Sequence, residues 1–327
     1  WNWQWNLELR YLNFSGNKRL EISRQYTHTG YNKAIDNIKF DSFMGLKKLR
    51  VLGLIDVTLK NSESSLPDES INTRVRTTAS EIYNYKYGIA DTLGQRENIS
   101  TREIMYNNFR GHEDELLICL FDGKNDDMIT KKHGNKITQL IQEVFKNLFT
   151  EELRKMTGDD TVEDCMRRSF LALNREINNY WQQNNEAASK ESNDPFRLSE
   201  EDILSGCSIT IVYIKGRELY AGNIGDSSGL ISKTNGEHEM LTDRHDPTNR
   251  KEFERIRLCG GYVSGKGELD GVTNVSRAAG FLNLLPHINA SPNIKAVKLG
   301  TSDEMLVIAT SELWEYVSNE TAVDVIN

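Results

Sequence analysis

Cysteine is scarce and scattered: four residues in 327, at positions 119, 165, 207 and 259, with no Cys-x-x-Cys pair. That spacing favours free thiols in a reducing compartment over a disulfide framework or a cysteine-based zinc site. Long apolar runs are missing as well. None approaches the roughly 20 residues needed to span a bilayer, so no transmembrane segment is expected. Positive charge is in deficit, with 40 Lys plus Arg against 48 Asp plus Glu and a formal net charge of −8. Without a basic excess there is no field to neutralise a phosphate backbone, which argues against nucleic-acid binding. Six histidines (28, 112, 133, 238, 245 and 287) form no His-x-x-x-His pair and none stands beside a cysteine. A zinc centre or a Ser-His-Asp triad is therefore unsupported.

What is present is a polar globular chain, 38% hydrophobic and 27% charged, with 5 Trp, 12 Tyr and 11 Phe to build cores. Its length suits two domains. The opening Trp1-Asn2-Trp3-Gln4-Trp5 has no initiator Met, basic region or cleavage site, and reads as the interior of a longer chain. Leu9, Leu12, Phe14 and Asn17 fit the spacing L-x-x-L-x-L-x-x-N, and Leu46, Leu49, Leu52, Leu54 and Leu59 fit it again, with Val57 in place of Asn. Residues 1–60 are accordingly expected to be the last leucine-rich repeats of a solenoid, whose inward leucines need neighbouring turns to close a core. Residues 61–74, opening with the Ser/Pro/acidic stretch Asn61–Ser70, read as a linker. A second domain is expected over 75–327.

In that domain Tyr87–Asp91 and Leu116–Phe121 are apolar runs typical of buried strands. Ile137, Leu140, Ile141, Val144 and Leu148 make one helical stripe, and Val162, Met166, Phe170, Leu173 and Ile177 make another. Ser208–Ile214 and Glu218–Asn223 flank the turn Lys215-Gly216-Arg217. Gly229–Lys233 precedes the hairpin signal Asn235-Gly236. Lys251–Leu258 reads as a helix ending at Gly260-Gly261, Met305–Ala309 as a strand, and Asn319–Ile326 as a helix capped by Asn319 or Ser318. The run Gly260–Lys266 nearly spells a phosphate-binding loop. It continues with Gly267 instead of Ser or Thr and follows a helix, so it reads as a glycine turn.

Carboxylates stand at two strand ends, Asp122 in Asp122-Gly123 and Asp226 in Gly225-Asp226-Ser227. Either residue type could ligate a metal there, and either could simply bond its own turn. Ordered blocks from about Arg74 onward decide the context. Tyr87-Gly88-Ile89-Ala90-Asp91 with Gly94-Gln95-Arg96, Leu120-Phe121-Asp122-Gly123, Ser205-Gly206-Cys207-Ser208, Asn223-Ile224-Gly225-Asp226-Ser227, Glu254-Arg255-Ile256 with Gly260-Gly261, Ser276-Arg277-Ala278 and Asp303-Glu304-Met305 through Trp314 resemble, in that order, the motifs of the type 2C metal-dependent Ser/Thr protein phosphatases. The resemblance implies an α+β, four-layer α-β-β-α sandwich in which Arg96 binds phosphate. It also implies two Mg²⁺ or Mn²⁺ ions about 3.5–4 Å apart that generate a hydroxide nucleophile. Leucine-rich repeats running into such a domain resemble the arrangement of fungal adenylate cyclases. That resemblance implies a parent making cyclic AMP from ATP, a Ras-type GTPase engaging the repeat region, and a downstream cyclase domain using Mg²⁺. It further implies a cytoplasmic place, peripheral at the membrane through partners.

The departures from the family pattern concern charge. Ser100 and Thr101 stand where the family's Glu and first ligand Asp belong, Phe281 replaces the acid of S-R-A-x-G-D, and Ser311 replaces the ligand Asp of A-S-D-G. The final D-N motif would fall past Asn327. Lys124 follows Asp122-Gly123, where its ammonium would repel a cation. So few carboxylates cannot balance two divalent ions, because magnesium needs about six oxygens and sheds water reluctantly. The expectation is no metal, no catalytic residue and a vestigial site of Arg96, Asp122, Gly123 and Asp226, with Glu312 or Glu315 as the acids able to rescue ligation from shifted positions. The alternatives are a residual Mg²⁺/Mn²⁺-dependent phosphatase and a leucine-rich binding module with an inert appendage.

Overall fold

The computed structural model describes residues 11–13, 21–23, 38–39, 48, 51–53, 58–60, 87–90, 100–124, 135–186 and 198–326. The chain divides into two compact units, Trp1–Ile99 and Ser100–Asn327. In the first, five short strands are described: β1 (Tyr11–Asn13), β2 (Glu21–Ser23), β3 (Ile38–Lys39), β4 (Val51–Gly53) and β5 (Thr58–Lys60). All their pairings are parallel, β1 with β4 and β2 with both β3 and β5. Leu12 and Leu52, one from each copy of the leucine pattern, are partners across β1 and β4. The linker residues Asn61–Ser70 lie outside the described residues, and Tyr87–Ala90, expected as a strand, has no regular structure.

The second unit is built on β6 (Thr101–Asn107), β7 (Glu115–Lys124), β8 (Gly206–Lys215), β9 (Glu218–Ile224) and β13 (Asn293–Lys298), hydrogen-bonded in the order β13-β9-β8-β7-β6. These pairings are antiparallel. At the start of β8 the short β12 (Ala279–Gly280) pairs with Gly206 and Cys207, beyond the residues that β9 covers. A second sheet runs β11-β10-β14, formed by His238–Met240, Ser228–Lys233 and Asp303–Ala309.

Alternation along the strands sorts their side chains between two cores. On one face Leu117, Cys119, Phe121, Ile209, Ile211 and Tyr213 pack against helices α1 (Asn135–Lys155) and α2 (Val162–Glu186) through Ile137, Ile141, Phe145, Phe149, Met166 and Phe170. Each helix presents the stripe that its three-and-four spacing dictates. On the other face Leu116, Val212, Ile214 and Ala221 meet Ile231 and Leu241 of the second sheet region. Short helices α4 (Ser311–Tyr316) and α5 (Asn319–Ile326) follow β14. The Trp314 indole on α4 donates to the carbonyls of Ser228 and Ala309. Ser318 caps α5 by accepting from the Thr321 amide. Helix α3 (Arg250–Leu258), capped by Asn249, leads to a third core of Ile256, Leu269, Val275, Ala278, Phe281, Leu284 and Ile288.

Candidate functional site

The site lies where β7 ends. Phe121 faces the helices, so Asp122 and Lys124, one and three residues on, face the opposite side of the sheet. In register, Asp122 has Thr101 on one neighbouring strand and Ser208 on the other. The Thr101 hydroxyl lies 3.5 Å from Asp122 Oδ1, and the Ser100 hydroxyl donates to the Gly123 carbonyl at 3.2 Å. These two hydroxyl residues thus support the end of β7 through oxygen contacts.

The turn after β9 supplies the second carboxylate. Asn223 reaches across to Asp243, donating to its carbonyl and accepting from its amide. The Gly225 amide donates to His245 Nδ1 at 3.1 Å. Gly225 is required twice over: its φ is +89°, and a Cβ there would lie 2.1 Å from Ser208 Oγ. Held this way, Asp226 Oδ1 accepts from the Ser208 hydroxyl at 2.9 Å.

Lys124 stands between the two acids. Its Nζ lies 2.7 Å from Asp122 Oδ2 and 3.1 Å from Asp226 Oδ1, and its side chain is only 9% exposed. It also donates to Ser311 Oγ at 3.1 Å, which ties in the first residue of α4. Burial alone would discharge the ammonium, but Asp122, Asp226 and Glu312 outweigh it and hold the lysine above its ordinary range. Burial pushes the Asp122 carboxyl up to about 6, because Lys124 only partly compensates while Glu312 and Asp226 add to the rise. Burial also works against Asp226, yet Lys124 and the Ser208 and Ser311 hydroxyls prevail and keep that carboxyl below the usual range.

Phe281 takes no part in a polar site. It is fully buried, and its ring packs on Gly206 so closely that a Cβ there would lie 2.1 Å from Phe281 Cδ2. Its own φ is +46°, a left-handed conformation unusual for a bulky residue. Arg96 lies outside the described residues. Glu315 is exposed on α4, and Glu312 acts on Asp122 and Lys124 through its charge. Among the described residues no three His, Cys, Asp or Glu side chains are grouped to hold a metal ion.

The protein phosphatase 2C family model matches residues 85–327. The chain belongs to that family. Over 99% of its length it is 47% identical to the adenylate cyclase of Lachancea kluyveri, of which it spans 17%. A C. elegans sex determining protein has a similar structure, with TM-score 0.57 and 20% identity over 71% of this chain and 53% of that one. So does a serine-threonine phosphatase 2C from Toxoplasma gondii, with TM-score 0.54 and 17% identity over 70% and 78%. At such identities these two structures establish the fold and nothing more of function.

The phosphatase 2C fold implies a pair of divalent ions beside Asp122, and the residues present do not fit them. A dication between Asp122 and Asp226 would have to share its space with the Lys124 ammonium, which already lies within direct contact of both. The sequence carried a signal for this: Asp122 and Lys124 are two residues apart on a strand and must share a face. That Ser208 lies opposite Asp122 while its hydroxyl bonds Asp226 emerges only from the register.

Proposed function

We propose that this chain is the non-catalytic, phosphatase-like part of an adenylate cyclase, a rigid spacer and docking platform between a repeat region and a cyclase domain. The observation that carries this reading is Lys124, whose ammonium lies 2.7 Å from one remaining acid and 3.1 Å from the other. A phosphatase of this class must hold two dications and a hydroxide there. The sheet layers and helices that build a platform are intact while the charge needed for hydrolysis is missing at Thr101, Phe281 and Ser311. The 47% identity to an adenylate cyclase across nearly the whole chain supports the parent. On this reading the parent makes cyclic AMP, a Ras-type GTPase engages the repeat region, and Mg²⁺ belongs to the downstream cyclase domain. The test is hydrolysis of p-nitrophenyl phosphate by the purified chain in millimolar Mn²⁺ or Mg²⁺. No release above the protein-free blank is expected. Turnover abolished by Asp122→Asn would overturn the reading in favour of a phosphatase with rearranged ligands.

A further inference from the structure

Three segments distant in sequence converge on one ammonium. Lys124 comes from the end of β7, Asp226 from the turn after β9 and Ser311 from the start of α4; Asp122 completes the shell from β7 itself. An ammonium has three N–H donors and no acceptor, and three oxygens from three different side chains surround this one at 2.7–3.1 Å. The charges within this shell are two carboxylates and one ammonium. Ser311 is an uncharged acceptor, so the lysine contacts a third segment without adding a third negative charge. Ser208 fixes Asp226 from the side opposite in register to Asp122.

We infer that Lys124 is a resident cation: it ties β7, the Gly225–Ser228 turn and α4 together in place of a metal ion, and it keeps divalent cations out by filling the space between Asp122 and Asp226. Removing the ammonium alone leaves two buried carboxylates facing a gap, a pair of oxygen ligands that suit Mg²⁺ or Mn²⁺. The fold then becomes dependent on a divalent cation for its full stability. The inference deepens the non-phosphatase reading of the same cleft.

Thermal unfolding of the whole chain tests it, with the wild type, Lys124→Met and the triple variant Lys124→Met/Asp122→Asn/Asp226→Asn. Each is measured in EDTA, in about 10 mM MnCl₂ and in KCl of matched ionic strength. Breaking a buried pair from one side is costly, so Lys124→Met is expected to lose roughly 10 °C in EDTA. MnCl₂ should return about 3–6 °C of that, as ligand linkage predicts for a millimolar site at tenfold excess, while KCl should return none. The wild type should not respond to Mn²⁺. The triple variant removes the orphaned charges along with the lysine. It should regain most of the loss and ignore Mn²⁺.

A Lys124→Met protein as stable as the wild type would overturn the inference, as would an equal Mn²⁺ response in both. If Lys124→Met does not fold at all, the triple variant decides: near-native stability supports the charge role, and failure to fold overturns it. The two ideas fail separately. Phosphate release by the wild type that Asp122→Asn abolishes sinks the non-phosphatase reading whatever the melting curves show. Unchanged melting without phosphate release sinks only the lysine's role.

Discussion

Around Glu252 one carboxylate is shared by two guanidiniums, whereas at the end of β7 two carboxylates share one ammonium. Arg255 donates to Glu252 and to the carbonyls of Ser276 and His287. Arg277 donates to Glu252 and to the Ser291 carbonyl. Burial of Glu252 works against its charge, but the Arg277 and Arg255 contacts bring its carboxyl down to about 2. That cluster is a strut joining α3 to the 276–291 segment. At β7 the balance is reversed, and the Asp122 carboxyl rises to about 6. Arg255 and Arg277 of the first cluster, like Asp122 and Asp226 of the second, come from the blocks that carry the family resemblance. Where only support is needed, cations outnumber the acid and every charge is paired. At the end of β7 two acids face one ammonium, and negative charge is in excess.

The sharpest way to break this contrast is to remove the acid from the strut. Glu252→Ala leaves two guanidiniums without their shared partner and is expected to cost about 3–5 kcal/mol in urea unfolding. A loss below about 1 kcal/mol would show the strut to be ornamental. Next in size, Asp226→Asn removes a carboxylate held by Lys124 and Ser208 and should cost about 2 kcal/mol. Asp122→Asn should cost under about 1 kcal/mol near neutral pH, because a carboxyl raised to about 6 already pays for its charge in the folded state. Equal losses from the two substitutions would erase the asymmetry between the acids.

The smallest net effect is on pH dependence. His245 is buried and neutral: burial first, then Arg277, bring it down to about 4 from 6.5. Below pH 6.5 the unfolded chain takes up a proton that the folded imidazole refuses, so this residue removes stability as pH falls from 6.5 to 4, by up to about 3 kcal/mol. Asp122 acts in the opposite sense. Its folded carboxyl, at about 6 against 3.8, binds a proton first and adds stability as pH falls through nearly the same window. The two largely offset one another in the wild type. His245→Gln keeps an acceptor for the Gly225 amide and leaves Asp122 alone, so its urea midpoint should rise on acidification from pH 6.5 towards 4.5. A falling midpoint would show that the histidine is not the opposing group.

Much of the second unit was legible because its signals are local. The stripes from Ile137 to Leu148 and from Val162 to Ile177 became α1 and α2, and the apolar runs became β7, β8, β9, β10 and β14 with ends shifted by a few residues at most. Tyr87–Ala90 is the exception, apolar enough for a strand yet irregular. A strand exists only with a partner, and an apolar run does not name one. The site was legible in part. Asp122 and Asp226 could be placed at strand ends, and Lys124 could be recognised as hostile to a cation nearby. That the ammonium turns inward and bridges both acids depends on β8 and the turn after β9 lying beside β7, contacts over sequence separations that no local pattern encodes.

The amino-acid order alone settled which charges exist: Asp122 and Asp226 close to strand ends, and a lysine two positions after Asp122. It also settled the faces, since period-two and period-3.6 spacing follow from backbone geometry. Tertiary structure decided what those charges do. Only when Asp226 and Ser311 are brought to Lys124 does an otherwise solvated side chain become the buried cation of the cleft, because the strength of a charge depends on its distance from its partners and on the water excluded from between them.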